Sequence, residues 1–538
     1  MSSRNKRHDR EGIFAGNTAS RAIIDIGSNT VRLVVYGGSM RAPTVLLNEK
    51  VTARLGSELA ETGRMAGESV DLAMRALKRF VLLLDDLEVA DVEVVATAAV
   101  REAENGPGFV EALEALGVRP RVISGEEEGR LSAMGVAGAF PGASGIVADL
   151  GGGSLELVRL GNDETGDATS LPLGTLRLPD FRSDDRVGGG SKDVRADMRK
   201  ALEKALRKAG WGEDDFGLGT RSEDGSEDSF KPDPANDRRT LYLVGGTWRA
   251  MAVYAMQEQG HPLSDPHGFE LARDEGEALA KTLAALGPDE LRPRERISSM
   301  RAEKLPDAAV LLLALIGRLS PDRLVFSSWG LREGLLYDQL EPHARAQDPL
   351  LAGISVFSTL RGAPPQLAAR VAGWTVDAAP ARRHGSERLR LAATQLALAS
   401  MQIEPNIRLP QAIDWALHKR WIAVDGKGRA MMAAAIAANG NRTDLPQEVH
   451  DLISDEAIAE AQVWGFAIRL ARRLGARSRR SLQVSRLLVE KDALVLRLAR
   501  SHADLFGIPT EKDMKLLAAC KGMDWRVDIV ADEDLRND

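Results

Sequence analysis

Three glycine-rich turns in this 538-residue chain each come directly after an apolar run of the kind that forms a buried strand. They lie at residues 27–29, 151–154 and 245–247. Because glycine lacks a Cβ atom, backbone N–H groups in such turns can approach an anion closely and form a nest of phosphate size. The residues thereby predicted to bind phosphoryl oxygens are Ser28, Asn29, Gly151, Gly152, Gly153, Ser154, Gly245, Gly246 and Thr247.

An aspartate precedes two of these turns, Asp25 in "AIIDIGS" and Asp149 in "GIVADLGGGS". A carboxylate beside phosphates is well placed to hold Mg²⁺, so the combination indicates phosphoryl transfer. A single glycine-rich turn is more often only a tight turn, whereas three turns with two matching aspartates favour function. Neither a GxxxxGK[ST] loop nor a GxGxxG fingerprint occurs at these turns, which disfavours the P-loop and Rossmann folds.

The elements around the turns alternate between strand and helix patterns. "RAIIDIGSN", "VRLVVYGG" and "VEVVATAAV" have the pattern of strands, and "SVDLAMRALKRFVLLLDDL" that of an amphipathic helix. The strand–aspartate–glycine order recurs from Gly145, which indicates an internal duplication within an α/β layered protein. From about Pro342 the chain is rich in Ala, Leu and Arg with helical periodicity, and "SLQVSRLLVEKDALVLRLA" then alternates like strands.

Length and composition limit the classes of protein that the chain can form. At 538 residues it is too long for one hydrophobic core and should divide into several domains. The formal net charge of -7 argues against a general nucleic-acid binder, and the apolar runs are shorter than the roughly 20 residues that span a bilayer. The only cysteine, Cys520, excludes an intramolecular disulfide and fits a reducing compartment, so the expected location is the cytoplasm.

Seven stretches, in order between residues 22 and 338, carry a resemblance to a known family. They are "AIIDIGSNTVRLVVY", "VATAAVREAENGPGF", "VISGEEEGRLSAMGV", "GIVADLGGGSLELV", "SLPLGTLRL", "LYLVGGTWRAMA" and "WGLREGLLYD". The chain resembles the exopolyphosphatase and guanosine pentaphosphate phosphohydrolase family, within the superfamily of acetate kinase, hexokinase, Hsp70 and actin. The resemblance implies two actin-like (ribonuclease H-like) α/β lobes, a helical domain similar to a degenerate HD fold, and a small C-terminal α+β unit.

The domain boundaries expected on this basis are a disordered tail at 1–19, lobe I at 20–142, lobe II at 143–340, the helical HD-like domain at 341–480 and the α+β unit at 481–538. A polar insertion at 214–239 within lobe II is expected to be mobile. It has too few apolar residues for their burial to offset the conformational entropy that it would lose on ordering. The helix that follows His384, "RLAATQLALAS", lacks the His-Asp pair of the domain's namesake. His384 is therefore expected to be a surface or capping residue, and no metal site is expected in this domain.

The resemblance also assigns roles to individual side chains. It implies that Glu128, in "SGEEEGRL", activates the attacking water, although the residues alone leave open which of Glu126, Glu127 and Glu128 does so. Repulsion from the two neighbouring glutamates is expected to raise the pKa of Glu128, and Ser124 with Glu127 fits a capping box. The other implied residues are Asp149 and Glu156 for the metal and the water, Asp25 with Asp149 for Mg²⁺ or Mn²⁺, and Asn29, Arg32, Arg101 and Arg301 for phosphate.

An arginine-rich stretch near the end of the helical region has no acidic residue between Glu460 and Glu490. Such a stretch could attract a linear polyanion, and a solvated helix face explains it equally well. The residues of this predicted distal polyphosphate patch are Arg472, Arg473, Arg477, Arg479 and Arg480.

The leading hypothesis for function is processive removal of terminal phosphate from inorganic polyphosphate. Three alternatives stay open: hydrolysis of guanosine pentaphosphate (pppGpp), phosphotransfer to an acceptor, and a sensor of polyphosphate or of pppGpp and ppGpp. The large C-terminal portion favours a long chain as substrate, because a long chain needs binding surface beyond the cleft. The resemblance further implies a homodimer, and we expect neither nucleic acid nor a membrane as a partner.

Overall fold

The structure is a computed structural model that describes residues 19–161, 164–182, 194–216, 239–287, 290, 294–382, 386–476 and 478–537. Residues 1–18 of the predicted tail, residues 217–238 of the predicted insertion, His384 and Arg477 lie outside the described residues. In the part of the chain that is described, no helix combines the length and the apolar character needed to cross a membrane.

The described residues form two compact units. The first runs to His261 and resumes at Pro266–Ala346, and the second consists of Pro262–Asp265 and the chain from Gln347 onward. All three glycine-rich turns and both turn aspartates lie in the first unit.

Two mixed sheets organise the first unit. The first sheet comprises β1 Ala19–Ile26, β2 Val31–Ser39, β3 Ala42–Val51, β4 Val92–Ala96 and β5 Arg121–Val122. The second comprises β6 Gly145–Leu150, β7 Leu155–Gly161, β8 Glu164–Leu171, β9 Thr240–Val244, β10 Glu270–Ala272 and β11 Arg323–Ser327. The helices are α1 Leu59–Thr62, α2 Gly67–Asp86, α3 Ala98–Glu102, α4 Gly106–Glu114, α5 Gly125–Ala139, α6 Val194–Lys208, α7 Gly246–Glu258, α8 Arg273–Ala285, α9 Ser299–Ala302, α10 Leu305–Leu319, α11 Leu331–Asp338 and α12 Pro342–Arg345.

The two sheets repeat one topology. Their strand orders are β3-β2-β1-β4-β5 and β8-β7-β6-β9-β11, with β10 added at the edge of the second sheet. In each sheet the first strand runs antiparallel to the next strand in sequence and parallel to the strand on its other side. The mixed α/β class predicted from the sequence is confirmed, and the duplicated strand–aspartate–glycine pattern corresponds to these two equivalent first strands.

The predicted strand "VEVVATAAV" is shorter than expected. β4 ends at Ala96, and the residues after Thr97 form the short helix α3 instead. Alanine has the highest helix propensity of all residues, so the Ala-Ala pair after Thr97 favours the change from strand to helix. This early end brings the Thr97 turn to the carboxyl edge of the sheet, next to the turn after β1.

Two helices of the first unit pack against each other at glycines. A Cβ atom added at Gly334 in α11 would overlap the Leu131 carbonyl oxygen of α5, and one added at Gly135 in α5 would overlap the Gly330 carbonyl oxygen. Side chains from these helices join the core beneath the first sheet, where Leu131 and Leu335 pack with strand residues. The glycines therefore set the distance between α5 and the segment that leads into α11.

The second unit is built from helices and one small sheet. Its helices are α13 Pro349–Thr359, α14 Pro365–Thr375, α15 Ser386–Ala399, α16 Pro405–Leu417, α17 Gly426–Asn439, α18 Gln447–Leu452, α19 Asp455–Gly475, α20 Arg479–Gln483, α21 Ile508–Lys521 and α22 Asp534–Asn537. The sheet consists of β12 Ser485–Glu490, β13 Ala493–Ala499 and β14 Asp524–Val530, with β12 antiparallel and β14 parallel to β13. The helices and the sheet form one compact unit, because α21 packs on α19.

A buried ion pair connects α19 to α21. Asp513 is 2% exposed, and its two oxygens accept from Arg469 Nε at 2.7 Å and Arg473 Nε at 3.2 Å. We expect Asp513→Asn to lower the free energy of unfolding by roughly 2–3 kcal/mol, because it leaves two arginines without their counter-ion while the exposed Arg473 limits the loss. Urea denaturation of the two proteins measures this difference.

The matched control for this prediction is Asp444→Asn. Asp444 pairs with Arg442 at 2.7 Å, but both side chains are exposed to solvent. No measurable change in stability is expected there, because an exposed pair is screened by water. An equal loss for the two variants would contradict the role assigned to Asp513.

Candidate active site

The turn after β1 and the turn after β6 have the same local geometry. Gly27 N–H donates to the Thr30 carbonyl oxygen at 3.0 Å, and Gly151 N–H donates to the Ser154 carbonyl oxygen at the same distance. The two turns face each other, because a Cβ atom placed on Gly152 would lie 3.3 Å from Asn29 N. Any side chain at this glycine would fill the space between them.

The third turn begins a helix. Gly245 has a φ of +124°, a conformation that L side chains rarely adopt, and it immediately precedes the first residue of α7. The first N–H groups of a helix lack partners within the helix, so they attract anions together with the helix dipole. Gly246 and Thr247 therefore present donors to the same crevice, beside the Arg301 guanidinium, whose Nη2 would lie 3.1 Å from a Cβ on Gly246.

One crevice in the first unit brings most of the predicted residues together. Those that line it are Asp25, Ser28, Asn29, Arg32, Glu128, Asp149, Gly151, Gly152, Gly153, Ser154, Gly245, Gly246, Thr247 and Arg301. Arg101 and Glu156 stand behind this lining and contact it from the protein side. The lining follows the carboxyl ends of the parallel strands in both sheets, which is where loops of α/β proteins bind ligands.

Equivalent strands place four of the key side chains. Asp25 on β1 lies opposite Arg32 on β2, and Asp149 on β6 lies opposite Glu156 on β7. Because the two hairpins are related by the duplication, both aspartates sit one residue before the end of their strand. The partner across the hairpin is a cation in the first sheet and a carboxylate in the second.

Asp25, Asp149 and Glu156 are withdrawn from water, and this burial raises the pKa of each. Burial raises the pKa of Asp25 and of Asp149, although nearby Arg332 and the Ser132 hydroxyl, respectively, oppose the rise. Burial followed by repulsion from Asp149 raises the pKa of Glu156 to about 8. The raised pKa values favour the protonated forms of these groups, unless a cation bound among them lowers those values.

Glu128 comes from the first turn of α5, whose N-cap Ser124 accepts a hydrogen bond from Glu127 N–H at 3.1 Å. Its pKa is raised well above the usual range, first by burial and then by repulsion from Glu156, Asp149 and Asp25. The expectation that Glu126 and Glu127 would raise it is wrong. Glu126 points into solvent and Glu127 pairs with Arg121, because helix geometry turns consecutive side chains to different faces.

Cations occupy the rest of the crevice wall. Burial, together with repulsion from Arg332, lowers the pKa of Arg32 to about 10, and burial also lowers the pKa of Arg301. Lys50 and Lys304, which the sequence reasoning did not select, lie on the same wall. Burial lowers the pKa of both lysines, and that of Lys304 falls to about 8. This wall would therefore attract a polyanion.

Arg101 lies behind the residues that line the crevice. Its Nη1 donates to the Ile123 carbonyl oxygen at 2.9 Å and lies 3.8 Å from Glu128 Oε2. Ile123 comes shortly before α5, so this arginine ties the start of that helix to α3. The geometry gives Arg101 a part in holding Glu128, rather than a place on the crevice lining.

Arg332 and Glu333 are further crevice residues that the sequence reasoning missed. They follow β11 in "WGLREG", and Glu333 accepts hydrogen bonds from Tyr36 Oη at 2.9 Å and from Gly330 N–H at 3.2 Å. Burial opposes protonation of Arg332, but the charges of Glu333, Tyr36, Asp25 and Asp149 outweigh it and raise the Arg332 pKa. The sequence did contain a signal for these two residues, because their turn also follows a parallel strand of the second sheet.

The donor set of the crevice fits a hard divalent cation. Glu128 Oε2 and Glu156 Oε2 are buried and have no hydrogen-bond partner in the described part of the chain. The nearby ligands are carboxylate oxygens, the type that Mg²⁺ and Mn²⁺ prefer. Within the described residues no group of three or more His, Cys, Asp or Glu forms a metal cluster, and Mg²⁺ commonly uses one or two carboxylates plus phosphate oxygens. Asp25 and Asp149, which both line the crevice, are the carboxylates that would hold such a cation.

The predicted distal patch differs in part from expectation. Arg473 pairs with Asp513, which is distant in sequence, and Arg472 Nη1 lies 3.0 Å from Met401 Sδ while burial lowers the Arg472 pKa to about 10. Arg479 and Arg480 are exposed. The stretch contains no acidic residue in the sequence, but in the fold the buried carboxylate of Asp513 from α21 pairs with two of its arginines.

Taken together, two duplicated α/β lobes, facing glycine turns and a carboxylate-and-arginine crevice define a phosphate-handling class of protein. The model of the Ppx/GppA phosphatase family matches residues 34–222 and 231–343, more than half of the chain. The chain belongs to the Ppx/GppA phosphatase family.

Several known proteins are similar to this chain. "Retrograde regulation protein 2" of Saccharomyces cerevisiae is 26% identical over 362 residues, which cover 63% of this chain and 58% of that protein. The match thus spans less than two thirds of the yeast protein. A crystal structure of the Aquifex aeolicus Ppx/GppA family member is 28% identical, with a TM-score of 0.47, covering 59% of this chain and 96% of that one. An exopolyphosphatase from Cytophaga hutchinsonii is 24% identical, with a TM-score of 0.49, covering 60% and 98%.

Proposed function

We propose that this protein is an exopolyphosphatase, which hydrolyses the terminal phosphate of inorganic polyphosphate and releases orthophosphate. The observation that carries the proposal is one crevice in which facing glycine turns, four carboxylates and a cationic wall converge. Membership of a phosphatase family and the exopolyphosphatase similar to this chain support the same activity.

In the proposed reaction, Glu128 accepts a proton from the attacking water. The water oxygen bonds to the terminal phosphorus, the bridging P–O bond on the opposite side breaks, and the shortened chain leaves with the bridging electron pair. Glu128 lines the crevice together with Asp25 and Asp149, where this water would lie. Glu156, behind it, accepts a hydrogen bond from Ser170 Oγ at 2.8 Å, and its repulsion adds to burial in raising the Glu128 pKa.

The glycine turns and the cations hold the substrate. Backbone N–H groups at Gly152 and Gly246 would bind the terminal phosphoryl oxygens, and Arg32 and Arg301 would neutralise the charge that shifts to the leaving chain. A divalent cation held by Asp25 and Asp149 would supply further charge neutralisation at the phosphoryl oxygens and lower the pKa of the surrounding carboxyl groups.

The crevice favours polyphosphate over guanosine pentaphosphate as substrate. No aromatic side chain occurs among the described residues that line it, so a guanine base would find no ring there on which to stack. The lysines on the wall, Lys50 and Lys304, suit further phosphates of a chain. Guanosine pentaphosphate hydrolysis remains the second candidate, since its terminal phosphates present the same chemistry.

The decisive experiment compares hydrolysis of long polyphosphate, tripolyphosphate and guanosine pentaphosphate by one preparation, with Mg²⁺ or Mn²⁺ present. We expect kcat/KM to be highest for long polyphosphate and expect orthophosphate as the product. A higher kcat/KM for guanosine pentaphosphate would reassign the substrate, and the absence of phosphate release from all three would reject the enzyme and favour a sensor.

The charge state of Lys304 is expected to determine part of the pH dependence of kcat/KM. Its folded pKa is depressed to about 8, so the cation that attracts the chain is present below that pH and is lost as pH rises through it. We expect kcat/KM for polyphosphate to fall above about pH 8 and the fall to be smaller in Lys304→Arg, because arginine stays charged. Identical alkaline profiles for the two proteins would exclude Lys304 as a substrate ligand.

A further inference from the structure

An aromatic–cation cluster lies in the second unit, within and beside α13 and α16. It consists of Phe357, Trp415, Trp421, Arg361 and Lys419. The Phe357 ring meets both tryptophan rings edge-on, with centroid distances of 4.8 and 5.4 Å. Arg361 Cζ lies 3.7 Å from the Phe357 centroid, and Lys419 Nζ lies 4.3 Å from that of Trp421. Lys419 Nζ is also 5.6 Å from the Phe357 centroid, so both cations belong to one cluster.

Within the described part of the chain, neither cation of this cluster has an acidic partner. Among the described residues, Arg361 and Lys419 form no ion pair, and Arg361 donates only to the Phe357 carbonyl oxygen, at 3.0 Å. Neighbouring arginines are paired differently. Arg420 binds Asp265 at 2.7 Å, and Arg429 donates to the carbonyl oxygens of Leu417 and Trp421.

All the charges that contribute to the pKa of Lys419 are positive. Burial lowers its pKa to about 8, and the charges that contribute, those of Arg361, Arg429 and Arg420, all lower it further. Aromatic faces offset part of this repulsion, but a cation–π contact is weaker than a carboxylate pair. Among the described residues, Arg361 and Lys419 thus lack the counter-charge that buried cations normally have.

We propose that Arg361 and Lys419 form a binding site for a compact phosphate-class oxyanion, separate from the crevice of the first unit. An oxyanion between them would accept hydrogen bonds from a guanidinium and an ammonium and would supply the missing negative charge. The rings fix both cations from the sides, so little side-chain freedom is lost on binding. The anion could be free orthophosphate or one phosphate of a longer chain.

The test is isothermal titration of the full-length protein in metal-free buffer, with orthophosphate in one series and the non-hydrolysable methylenediphosphonate in another. We expect two classes of site, the crevice and the cluster. Lys419→Met should weaken the cluster site about tenfold or more, since a charge-assisted hydrogen bond is lost, and leave the crevice site unchanged. Lys419→Arg should retain binding.

Lys515→Met is the matched control. Lys515 Nζ also lies over a ring, 5.6 Å from the Trp525 centroid, but it is paired with Glu511 at 2.6 Å. Its loss should change neither site. Tighter binding of methylenediphosphonate than of orthophosphate at the cluster would identify a chain segment as its ligand, and equal binding would identify a single phosphate.

Two results would overturn the proposal. One is unchanged anion binding in both Lys419→Met and Arg361→Met, which would make the cluster a packing element. The other is equal weakening in Lys515→Met, which would mean that the titration records general surface charge. The crevice site, measured in the same titrations, shows separately whether the proposed substrate cleft binds phosphate.

Discussion

Replacing Glu128 by Gln is expected to lower kcat for polyphosphate hydrolysis by about 10³-fold, within the range that a positioned general base contributes. Gln has the size of Glu and can still hydrogen-bond the water, but it cannot accept the proton. KM should change little, because the glycine turns and the cationic wall still hold the chain. Orthophosphate release under saturating polyphosphate measures the effect.

Glu126→Gln is the control for this variant, since Glu126 occupies the same helix turn but is exposed. Its kcat should stay within about twofold of the parent value, as for surface substitutions away from a site. The assignment of the base to Glu128 fails when Glu128→Gln keeps full turnover, or when Glu126→Gln loses as much.

Gly334→Ala is expected to destabilise the protein by more than about 3 kcal/mol, beyond the usual cost of overpacking. Helix propensity alone would favour alanine in α11, but the added methyl group would overlap the Leu131 carbonyl oxygen of α5. The overlapped oxygen belongs to the backbone, which cannot rotate away as a flexible side chain can, so the two helices must separate. Urea denaturation of the full chain measures the loss, and the activity should fall with it because Arg332 and Glu128 lie on these two elements.

Gly108→Ala tests whether this cost comes from the helix contact. Gly108 is an exposed residue of α4, and a Cβ atom there meets nothing within 4 Å. We expect this change to be stabilising by about 0.5 kcal/mol, because the unfolded chain loses conformational freedom. Equal behaviour of the two variants would refute the close-packing role of Gly334.

Local sequence patterns predicted the parts of this site that depend on strand ends. Asp25, Asp149 and the three glycine turns could be found because an apolar run, a carboxylate and glycines follow one another directly. Tertiary contacts decided the rest. Glu156 is 1% exposed, because its register opposite Asp149 turns it into the protein.

Charge was the hardest property to predict from the sequence. The pKa of Glu128 depends first on burial and then on Glu156, Asp149 and Asp25, which come from other elements, rather than on its immediate neighbours. In the same way Asp513 neutralises two arginines that are 44 and 40 positions away in sequence. Separation along the chain says little about such distances until the topology is known.

The opposite charges on the two equivalent hairpins, Arg32 beside Asp25 and Glu156 beside Asp149, have a consequence for direction. A linear polyphosphate has two identical ends, so either end can enter, and only the site can distinguish the terminal phosphate from the rest of the chain. Because one hairpin carries a cation and the other a second carboxylate, the rest of a bound chain would lie over the cationic hairpin, and the terminal phosphate would lie on the carboxylate side.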